Sequence, residues 1–479
     1  MNRIGEEGNS AMIESRVAYV MRVIRKRIAE KAIPSGAKLP SIRELSRSLR
    51  VSKSTVVNAY DRLISDGIIL SRRGSGFFVA GHQPLLSIQA PGQQIERDID
   101  PLWVSRQSLD SRTDFLRPGC GWLPADWMPE ESLCRALRGI SRDRSAAITQ
   151  YGSSLGHLPL RDRVSRQLRD HGVKASPCQI ILVESGANAL DLVCRFLIAP
   201  GETVLVDDPC YFNFSALLRV HRVNIVSVKY TTDGPDIEEF EKVVSETRPK
   251  LYLTNAGIHN PTGTSLSSAA AFNILRIAEK YNMFIVEDDA FSEFEQHATP
   301  RLASFDELKR VIQIGSFSKT LSASLRCGYI AARAEWIDAL ADIKIATSFG
   351  SANFSAHIIE AVLADGTYRK HVNSLHQRLA SAMGSTIVRL RALKIEPWFV
   401  PLGGMFLWCK LPNGADSAIV AQYALKEGII LAPGNAFSHS QAWKSYVRFN
   451  VAQSSDPRIY TTLSALLSRD NLSGQEVAA

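Results

Sequence analysis

The sequence predicts two folded units in one chain: an N-terminal winged helix-turn-helix of the α+β class, and a large α/β unit that ends in a smaller α+β domain. Three observations support this. Three amphipathic helical patterns and a glycine-tipped hairpin pattern fill the first 80 residues. Beyond them, short apolar runs alternate with helical stretches, which favours a mainly parallel sheet covered by helices on both faces. With 479 residues, the chain is also too long for one hydrophobic core.

The first unit is predicted over residues 12–80. In its first helix, Val20 and Ile24 recur at helical spacing above a basic outer face. Ser41, followed three residues later by Glu44, has the pattern of a capping box and marks the start of the second helix. A third helix and an alternating segment around a glycine-rich tip complete a winged helix-turn-helix.

The rest of the chain divides into a linker and two further domains. Residues 81–112 show neither the helical nor the strand period and contain prolines and glutamines, so we expect a linker there. Residues 113–345 are expected to form the large α/β domain and residues 346–470 the smaller α+β domain. The predicted strands of the sheet lie in IILVES, TVLVDD, NIVSVKY, KLYLTN, FIVEDD and VIQIGS.

The excess positive charge lies entirely in the first unit. Residues 1–80 hold 15 Lys and Arg against 7 Asp and Glu, whereas the remaining residues hold 41 of each sign. A small basic unit attached to a large neutral one suggests a nucleic-acid-binding module joined to a sensor or an enzyme. A basic face that merely improves solubility is the alternative that charge alone leaves open.

The seven cysteines lie far apart, with no CxxC pair and no His/Cys cluster, so we expect reduced and mostly buried thiols rather than disulfides or a metal site. The sequence contains no run of 18 apolar residues and no signal-peptide pattern at its start. These features predict a cytoplasmic protein that does not use a membrane.

The third helix and the hairpin tip carry the candidate DNA contacts. In a helix-turn-helix, the helix after the turn places its first side chains at base edges in the major groove, while wing and flanking residues contact phosphates. Taken singly, such residues are more often solvated surface. The candidates are Arg43, Ser52, Lys53, Ser54 and Thr55 on the helices and Arg72, Arg73 and Gly74 at the wing tip.

Residues 39–80 resemble the winged-helix domain of the GntR family of bacterial regulators, in the segment LPSIRELSRSLRVSKSTVVNAYDRLISDGIILSRRGSGFFVA. The resemblance implies binding to double-stranded operator DNA. Lys53 stands where arginine is commoner in that family, which keeps a phosphate contact and weakens bidentate recognition of a base.

Three residues of the large unit suggest cofactor chemistry. Lys319 lies in GSFSKT, Asp288 ends a predicted strand in VEDDAF, and Asn260 lies in HNPTG. A lysine that can bond to an aldehyde, with a carboxylate that keeps a pyridine nitrogen protonated, is what pyridoxal phosphate requires. A phosphate site is predicted where a strand leads into a helix N-terminus, a natural anion site. Its residues are Ser185, Gly186 and Ala187, completed by Ser316 and Arg326.

Residues 115–470 resemble the fold type I aminotransferases of class I/II. The matching segments, in order, are YGSSLGHLPLR, SGA, DDPCY, NPTG, EDDAF, SFSKTLSASLRCGY, GGMFLW, PGNAF and VRFN. The resemblance implies a pyridoxal phosphate fold with Lys319 as the covalent attachment point and Asp288 on the ring nitrogen. It further implies that Asn260 donates to the 3′ oxygen, that Tyr211 stacks on the ring and that Arg448 grips a substrate carboxylate.

The sequence departs from the aminotransferase pattern at two positions. Phe291 replaces the usual tyrosine, and Ala290 stands where fused regulators often carry a tyrosine. One hydroxyl donor to the 3′ oxygen is therefore missing, although Asn260 is the residue that aminotransferases use. Cofactor binding is expected, whereas transamination is expected to be weak or absent.

The combination of a GntR-type winged helix, a linker and an aminotransferase-like domain resembles the MocR (GabR-like) family. The resemblance implies a homodimeric transcription regulator whose large domain senses an amine, an amino acid or pyridoxal phosphate. Two alternatives are open. One is a working aminotransferase that carries a DNA-binding domain, and the other is an interaction scaffold without cofactor.

Overall fold

A computed structural model describes residues 15–29, 33, 37–65, 68–72, 76–79, 101–110, 114–142, 148–255, 257–350 and 353–468. It divides into two compact units, Met1–Ile95 and Glu96–Ala479. Arg73 and Gly74 of the predicted wing tip lie outside the described residues, as does the side chain of Arg72.

The first unit has three helices and a two-stranded hairpin among its described residues, as the sequence predicted. The hairpin is antiparallel, and Leu39 adds to it by donating its N–H to the carbonyl of Phe77 at 2.8 Å. The elements are α1 (Arg16–Ala29), α2 (Ile42–Leu49), α3 (Lys53–Ser65), β1 (Ile69–Arg72) and β2 (Gly76–Val79).

One small core joins these elements. Val20 and Ile24 of α1 are buried against Leu45 of α2 and Tyr60 of α3. The Tyr60 hydroxyl donates to the carbonyl of Pro40 at 2.6 Å, which ties α3 to the turn before α2.

The capping box that the sequence predicted at the start of α2 is confirmed. The Glu44 N–H donates to Ser41 Oγ at 3.3 Å, and the Ser41 N–H donates to a Glu44 carboxylate oxygen at 2.8 Å. Two of the free N–H groups at this helix end are thereby satisfied.

The second unit is built on an eight-stranded sheet. The strand order is β3-β10-β9-β8-β7-β4-β5-β6, in which β4, β5, β7, β8 and β9 run parallel while β3 and β10 form an antiparallel edge. The bounds are β3 (Ile180–Val183), β4 (Thr203–Asp208), β5 (Asn224–Thr231), β6 (Gly234–Pro235), β7 (Leu251–Thr254), β8 (Phe284–Asp288), β9 (Val311–Ser316) and β10 (Gly328–Ala331).

Helices pack on both faces of this sheet, because the parallel strands are apolar on both sides and require cover. The strands β3 and β7 are buried along their whole length. The helices that precede, connect and follow the strands are α5 (Glu130–Arg142), α6 (Leu158–Asp170), α7 (Gly186–Leu197), α8 (Phe212–Val220), α9 (Ile237–Thr247), α10 (Ser268–Lys280), α11 (Leu302–Asp306), α12 (Ala334–Ser348) and α13 (Asn353–Ala364).

The C-terminal part packs long helices on a four-stranded antiparallel sheet of order β11-β12-β14-β13. Its core includes Leu375, Trp408 and Leu466 and also takes in side chains from earlier in the chain, such as Phe212 and Phe291. The elements are α14 (Thr367–Ala392), β11 (Glu396–Pro397), β12 (Phe406–Lys410), α15 (Ser417–Lys426), β13 (Ala432–Pro433), β14 (Tyr446–Asn450) and α16 (Pro457–Leu467).

The structure corrects the predicted linker in one respect. Residues 101–110 of the expected irregular segment form helix α4 (Pro101–Asp110), whose Trp103 and Val104 are buried in the C-terminal core. The helix was missed because two adjacent apolar residues do not establish a 3.6-residue period. The domain boundaries themselves remain predictions.

Five of the seven cysteine side chains are buried, while Cys134 and Cys178 are exposed. Among the described helices, none is long and apolar enough to cross a membrane.

Candidate functional site

Lys319 lies in the turn after β9, partly buried, with its ammonium group facing a loop from the start of the second unit. Its Nζ donates to the carbonyl of Gly121 at 2.7 Å and lies 5.4 Å from the ring centre of Phe291. Burial, reinforced by the positive charge of Arg448 and opposed by Asp288, lowers the pKa of Lys319 to about 8. About a tenth of its amine is therefore uncharged at pH 7, far more than for a lysine of ordinary pKa.

Asp288 is the last residue of β8, which pairs with β9, the strand that leads to Lys319. Its Oδ1 accepts the backbone N–H of Ala290 at 3.1 Å. Burial raises the pKa of the Asp288 carboxyl to about 6, although the Ala290 N–H and the charge of Lys319 oppose this shift. The carboxyl is therefore mostly ionised at pH 7, as a group that keeps a pyridine nitrogen protonated must be.

The predicted phosphate site is assembled at the N-terminus of α7. Ser185 caps this helix, its Oγ accepting the N–H of Asn188 at 3.0 Å. A Cβ built on Gly186 would lie 3.7 Å from Cβ of Ser316, so the helix end and the end of β9 meet. Free N–H groups at such an end attract an anion.

The other predicted members of this site are less enclosed. Ala187 and Arg326 are exposed, and Arg326 lies near enough to Lys319 for its charge to help lower that pKa. Tyr211 is the residue before α8, and burial together with the charge of Asp288 raises the pKa of its hydroxyl to about 12. The hydroxyl therefore stays protonated.

Arg448 is buried without a carboxylate partner among the described residues, with only 1% of its surface exposed. Nη1 donates to Oδ1 of Asn260 and Nη2 to the carbonyl of Gly119, each at 2.8 Å, while Nε has no partner in the described part of the chain. Its guanidinium also lies 4.2 Å from the ring centre of Phe406. A buried guanidinium that only neutral groups contact suits a ligand carboxylate.

Sequence reasoning missed the segment from Leu116 to Trp122, which forms one wall of the site. Its backbone pairs with the chain before β13, because Leu116 and Gly119 donate their N–H groups to the carbonyls of Gly428 and Ile430. The carbonyls of Gly119 and Gly121 then accept from Arg448 and Lys319. A run of carbonyl acceptors has no side-chain signature, so a motif search does not find it.

Asn450 was also missed. Its amide donates to the carbonyls of Cys120 at 3.1 Å and Trp122 at 2.8 Å, which holds this wall against β14. Its place two residues after Arg448 is the signal that could have found it, since alternate residues of a strand share a face.

The candidate DNA-binding residues of the first unit lie at the start of α2 and α3. Ser52 caps α3 by accepting the N–H of Thr55 at 3.1 Å, and its hydroxyl also pairs with Ser54 at 2.8 Å. Lys53 and Arg43 are exposed. Arg43 lies in the first turn of α2, where the helix dipole does not stabilise a cation.

A groove of about 1080 Å³ runs beside Arg43. Two cations that the sequence reasoning did not select, Arg27 and Lys38, also line it. This groove extends the basic surface from α2 toward the hairpin.

The profile of the family described as "Aminotransferase class I and II" matches residues 123–466, well over half of the chain. The chain belongs to this family. A second profile, "Bacterial regulatory proteins, gntR family", matches residues 17–79, which confirms the resemblance of the N-terminal unit. The two matches in this order confirm the resemblance to the MocR (GabR-like) architecture.

Among curated proteins, this aminotransferase-family chain is similar to regulators over almost its full length. It is 28% identical over 455 residues to an uncharacterized HTH-type transcriptional regulator, YdfD, of Bacillus subtilis, covering 91% of this chain and 92% of that protein. It is 25% identical over 418 residues to the HTH-type transcriptional regulator NorG of Staphylococcus aureus, covering 84% and 93%.

Solved structures share the fold of the second unit. An archaeal alanine:glyoxylate aminotransferase matches with a TM-score of 0.70 and 25% identity over 76% of this chain and 93% of its own. LysN, an alpha-aminoadipate aminotransferase of Thermus thermophilus, matches with a TM-score of 0.69 and 24% identity over 76% and 94%.

The residues of this aminotransferase-family site fit pyridoxal phosphate, which is the cofactor. Lys319 with a lowered pKa, Asp288 close enough to act on it, and the N-terminus of α7, which meets the end of β9 at Ser316, each match one part of the cofactor. Arg448 Nε is a buried donor without a partner among the described residues, as expected where a ligand carboxylate completes the site. The roles of the single residues remain proposals.

Proposed function

We propose that the chain is a pyridoxal phosphate-dependent transcription regulator. Its winged helix binds double-stranded operator DNA, and its aminotransferase-like domain senses an amine, an amino acid or pyridoxal phosphate. The observation that carries the sensing half is the placement of Lys319 and Arg448 about one point. A Cβ built on Gly121 would lie 3.8 Å from both Lys319 Nζ and Arg448 Nη2. The carboxylate of a small ligand can therefore bind Arg448 while its amine reaches the cofactor's aldehyde at Lys319.

Each side chain of the site binds a different part of pyridoxal phosphate. Lys319 is the covalent attachment point, Asp288 pairs with the ring nitrogen, Tyr211 covers a ring face and Asn260 directs its amide toward the 3′ oxygen. Asn260 can do this because its Oδ1 already accepts from Arg448. The phosphate is held by Ser185, Gly186, Ala187, Ser316 and Arg326. When bound, the cofactor supplies an aldehyde that captures amines and a ring that withdraws electrons.

Phe291 and Ala290 shape what the site does with a captured ligand. Phe291 is only 5% exposed and presents a ring face to Lys319, so it contributes no hydroxyl to the 3′ oxygen. Ala290 offers a backbone N–H to Asp288 and no side-chain donor. The site therefore keeps the groups that bind a ligand and lacks one that tunes turnover.

The DNA-binding half of the proposal uses the exposed residues of the first unit. Arg43, Ser52, Lys53 and Ser54 are exposed at helix starts and Thr55 is half-buried beside them. Short donors and cations in these positions contact bases and phosphates. Arg72, Arg73 and Gly74 of the wing are proposed to meet backbone or the minor groove. The curated relatives, which are named as transcriptional regulators, support this half of the proposal.

A homodimer in the cytoplasm is part of the same proposal. Regulators with two-fold symmetry bind two half-sites on one face of the duplex, and the MocR resemblance implies a dimer. Analytical ultracentrifugation of the cofactor-loaded protein tests the dimer, and a monomer at micromolar concentration would contradict it.

A working aminotransferase is the second candidate, because Lys319, Asp288, Asn260 and Arg448 are all in place. Incubation of the purified protein with an amino donor and 2-oxoglutarate distinguishes the two. Steady production of glutamate that is lost in Lys319→Ala would establish the enzyme. We expect no more than a trace.

The experiment that tests the regulator proposal starts from a DNA fragment selected out of a random library by the purified protein. Affinity for that fragment is measured with and without pyridoxal phosphate and a panel of amines and amino acids. A ligand that changes both the cofactor spectrum and the DNA affinity supports the proposal. Failure to select any preferred sequence would contradict it.

A further inference from the structure

A buried cluster of charged side chains lies directly behind Asp288. The neighbouring Asp289 turns away from the cofactor site, and its Oδ2 accepts from Arg301 Nε at 2.9 Å and from Gln313 Nε2 at 2.8 Å. Arg301 Nη2 lies 2.8 Å from Oε1 of Glu295. The side chains of Arg301, Asp289 and Glu295 are exposed by 0%, 2% and 4%. The proposed function does not use this cluster.

The cluster touches both segments that carry groups proposed for the cofactor ring. It follows Asp288 directly in the chain, and it packs against Gly257, three residues before Asn260. A Cβ built on Gly257 would lie 2.7 Å from Glu295 Oε1, 2.9 Å from Asp289 Oδ1 and 3.0 Å from Arg301 Cζ. The backbone leading to Asn260 therefore rests on these three charged groups, with no room for a side chain between them.

Carboxyl groups outnumber cations in this region, and Arg301 is the buried cation that contacts two of them. Glu287, Asp288, Asp289, Glu293 and Glu295 follow one another closely at the end of β8 and in the turn after it. Glu287 is fully buried and receives the backbone N–H groups of Leu302 and Ala303 at 2.8 and 2.9 Å. Like charges packed in a medium of low polarity drive one another to bind protons, unless a cation is placed among them.

We propose that Arg301 is a positioning residue for Asp288: by neutralising Asp289 and Glu295, it leaves Asp288 as the anionic carboxylate that the cofactor's ring nitrogen meets. The guanidinium suits this task because its fork holds two carboxylates at once and remains charged at any working pH. It also fixes the turn from 289 to 295, which carries Phe291 beneath Lys319. The proposal rests on cofactor binding at Lys319, as proposed above.

The groups that face Asp288 fix the sign of the expected effect. Lys319 contributes positive charge; Asp289 contributes negative charge; Tyr211 and Tyr329 are neutral phenols. The amide of Asn255 donates to the backbone carbonyl of Asp288 at 3.0 Å and lowers the pKa of the carboxyl. Removing the positive charge of Arg301 makes the surroundings of Asp288 more negative, so protons bind the site more tightly. Removing the negative charge of Glu295 does the opposite.

The test is the pH midpoint of the visible absorbance of the bound cofactor, measured in the intact cofactor-loaded protein. Arg301→Gln is expected to raise the midpoint and Glu295→Gln to lower it, each by about half a pH unit or more, a threefold change in proton affinity. The double variant R301Q/E295Q restores the charge balance and is expected to return the midpoint toward that of the wild type. Arg301→Lys keeps the charge and should shift it least.

A role limited to holding the fold would give no such opposed shifts. If both single variants move the midpoint in the same direction, or neither moves it, the proposal is wrong. If R301Q does not fold, as circular dichroism will reveal, E295Q decides alone: a lowered midpoint supports the proposal and an unchanged one overturns it. A wild-type protein without any cofactor band contradicts the proposed function instead, so the two failures are distinguishable.

Discussion

Lys319 and Lys344 show that a perturbed pKa does not by itself mark a functional lysine. Burial lowers the pKa of each to about 8, with Arg448 acting on Lys319 and Arg161 on Lys344. Lys344 lies on α12 and donates to the backbone carbonyl of Ser154 at 2.6 Å, which ties the loop at Ser154 to this helix. Lys319 instead faces Arg448, Asp288 and a helix N-terminus. Position, not basicity, separates the two.

This contrast gives the first prediction. Lys319→Ala should abolish the absorbance and the borohydride-reducible adduct of covalently bound cofactor, because no other described amine faces Asp288. Lys344→Met is the matched control and should retain both. An adduct that survives in Lys319→Ala and disappears in Lys344→Met would mean that the wrong lysine has been assigned.

The pKa of Lys319 gives the second prediction. The uncharged amine attacks an aldehyde, so the rate constant for cofactor capture should rise with pH toward about 8 and level off above it. Arg448→Gln removes a positive charge that lowers this pKa and should therefore move the midpoint to higher pH. Stopped-flow absorbance at a series of pH values measures it. A midpoint that falls in the variant would contradict the assigned electrostatics.

Gly121 gives the third prediction. A methyl group there would lie 3.8 Å from both Lys319 Nζ and Arg448 Nη2, an ordinary contact that leaves the ligand-free fold intact. It would nevertheless fill the space between the amine-binding and carboxylate-binding groups. Gly121→Ala should keep the unfolding temperature and weaken binding of carboxylate-bearing ligands at least tenfold, about 1.4 kcal/mol. Gly139→Ala, in open space on α5, is the control: it should leave ligand affinity unchanged and raise the unfolding temperature slightly, because alanine favours a helix more than glycine does. Wild-type ligand affinity in Gly121→Ala would show that the ligand lies elsewhere.

At the scale of elements, the sequence identified what has a period or a motif. The helices of the winged unit follow from apolar spacing, and the start of α2 from the Ser41 and Glu44 pair. The parallel strands follow from short apolar runs, because a strand buried on both faces has no alternation to obscure it. Lys319, Asp288 and Arg448 follow from motifs that resemblance assigns.

The elements that the sequence did not reveal lack such signals. Helix α4 anchors itself with Trp103 and Val104, too few apolar residues for a period. The wall at 116–122 acts through carbonyl groups, which every residue has. The partnership of Arg301 with Asp289 and Glu295 joins residues that only the folded turn brings together.

The recognition elements of the winged unit give the fourth prediction. Arg43→Ala and Lys53→Ala should each weaken operator binding and lower the slope of log affinity against log salt by about one unit, because each removes one phosphate contact. Arg62→Ala is the control, because Arg62 is exposed in the last turn of α3, the helix that begins at Lys53. This variant should leave the slope unchanged. Fluorescence anisotropy at several salt concentrations measures it. An unchanged slope in both variants would contradict the proposed surface.

At the scale of the whole molecule, the proposal joins two binding events in one chain. A ligand changes DNA affinity only by as much as its own affinity differs between the DNA-competent and DNA-incompetent states. The candidate differential event is engagement of the ligand's amine at the cofactor and of its carboxylate at Arg448. The 116–122 wall receives hydrogen bonds from both Lys319 and Arg448. Along the chain, this wall follows α4, and α4 follows the segment that comes after the winged unit.

The measurement that tests this most directly is a titration of the selected DNA fragment with cofactor-loaded wild type and Arg448→Ala, each with and without an active carboxylate-bearing ligand. The account predicts a change of roughly 5–150-fold in the DNA affinity of the wild type, the usual range of coupling between sites. In Arg448→Ala, basal DNA affinity should be nearly that of the wild type and the ligand response should be lost. Equal ligand responses in the two proteins would contradict the account.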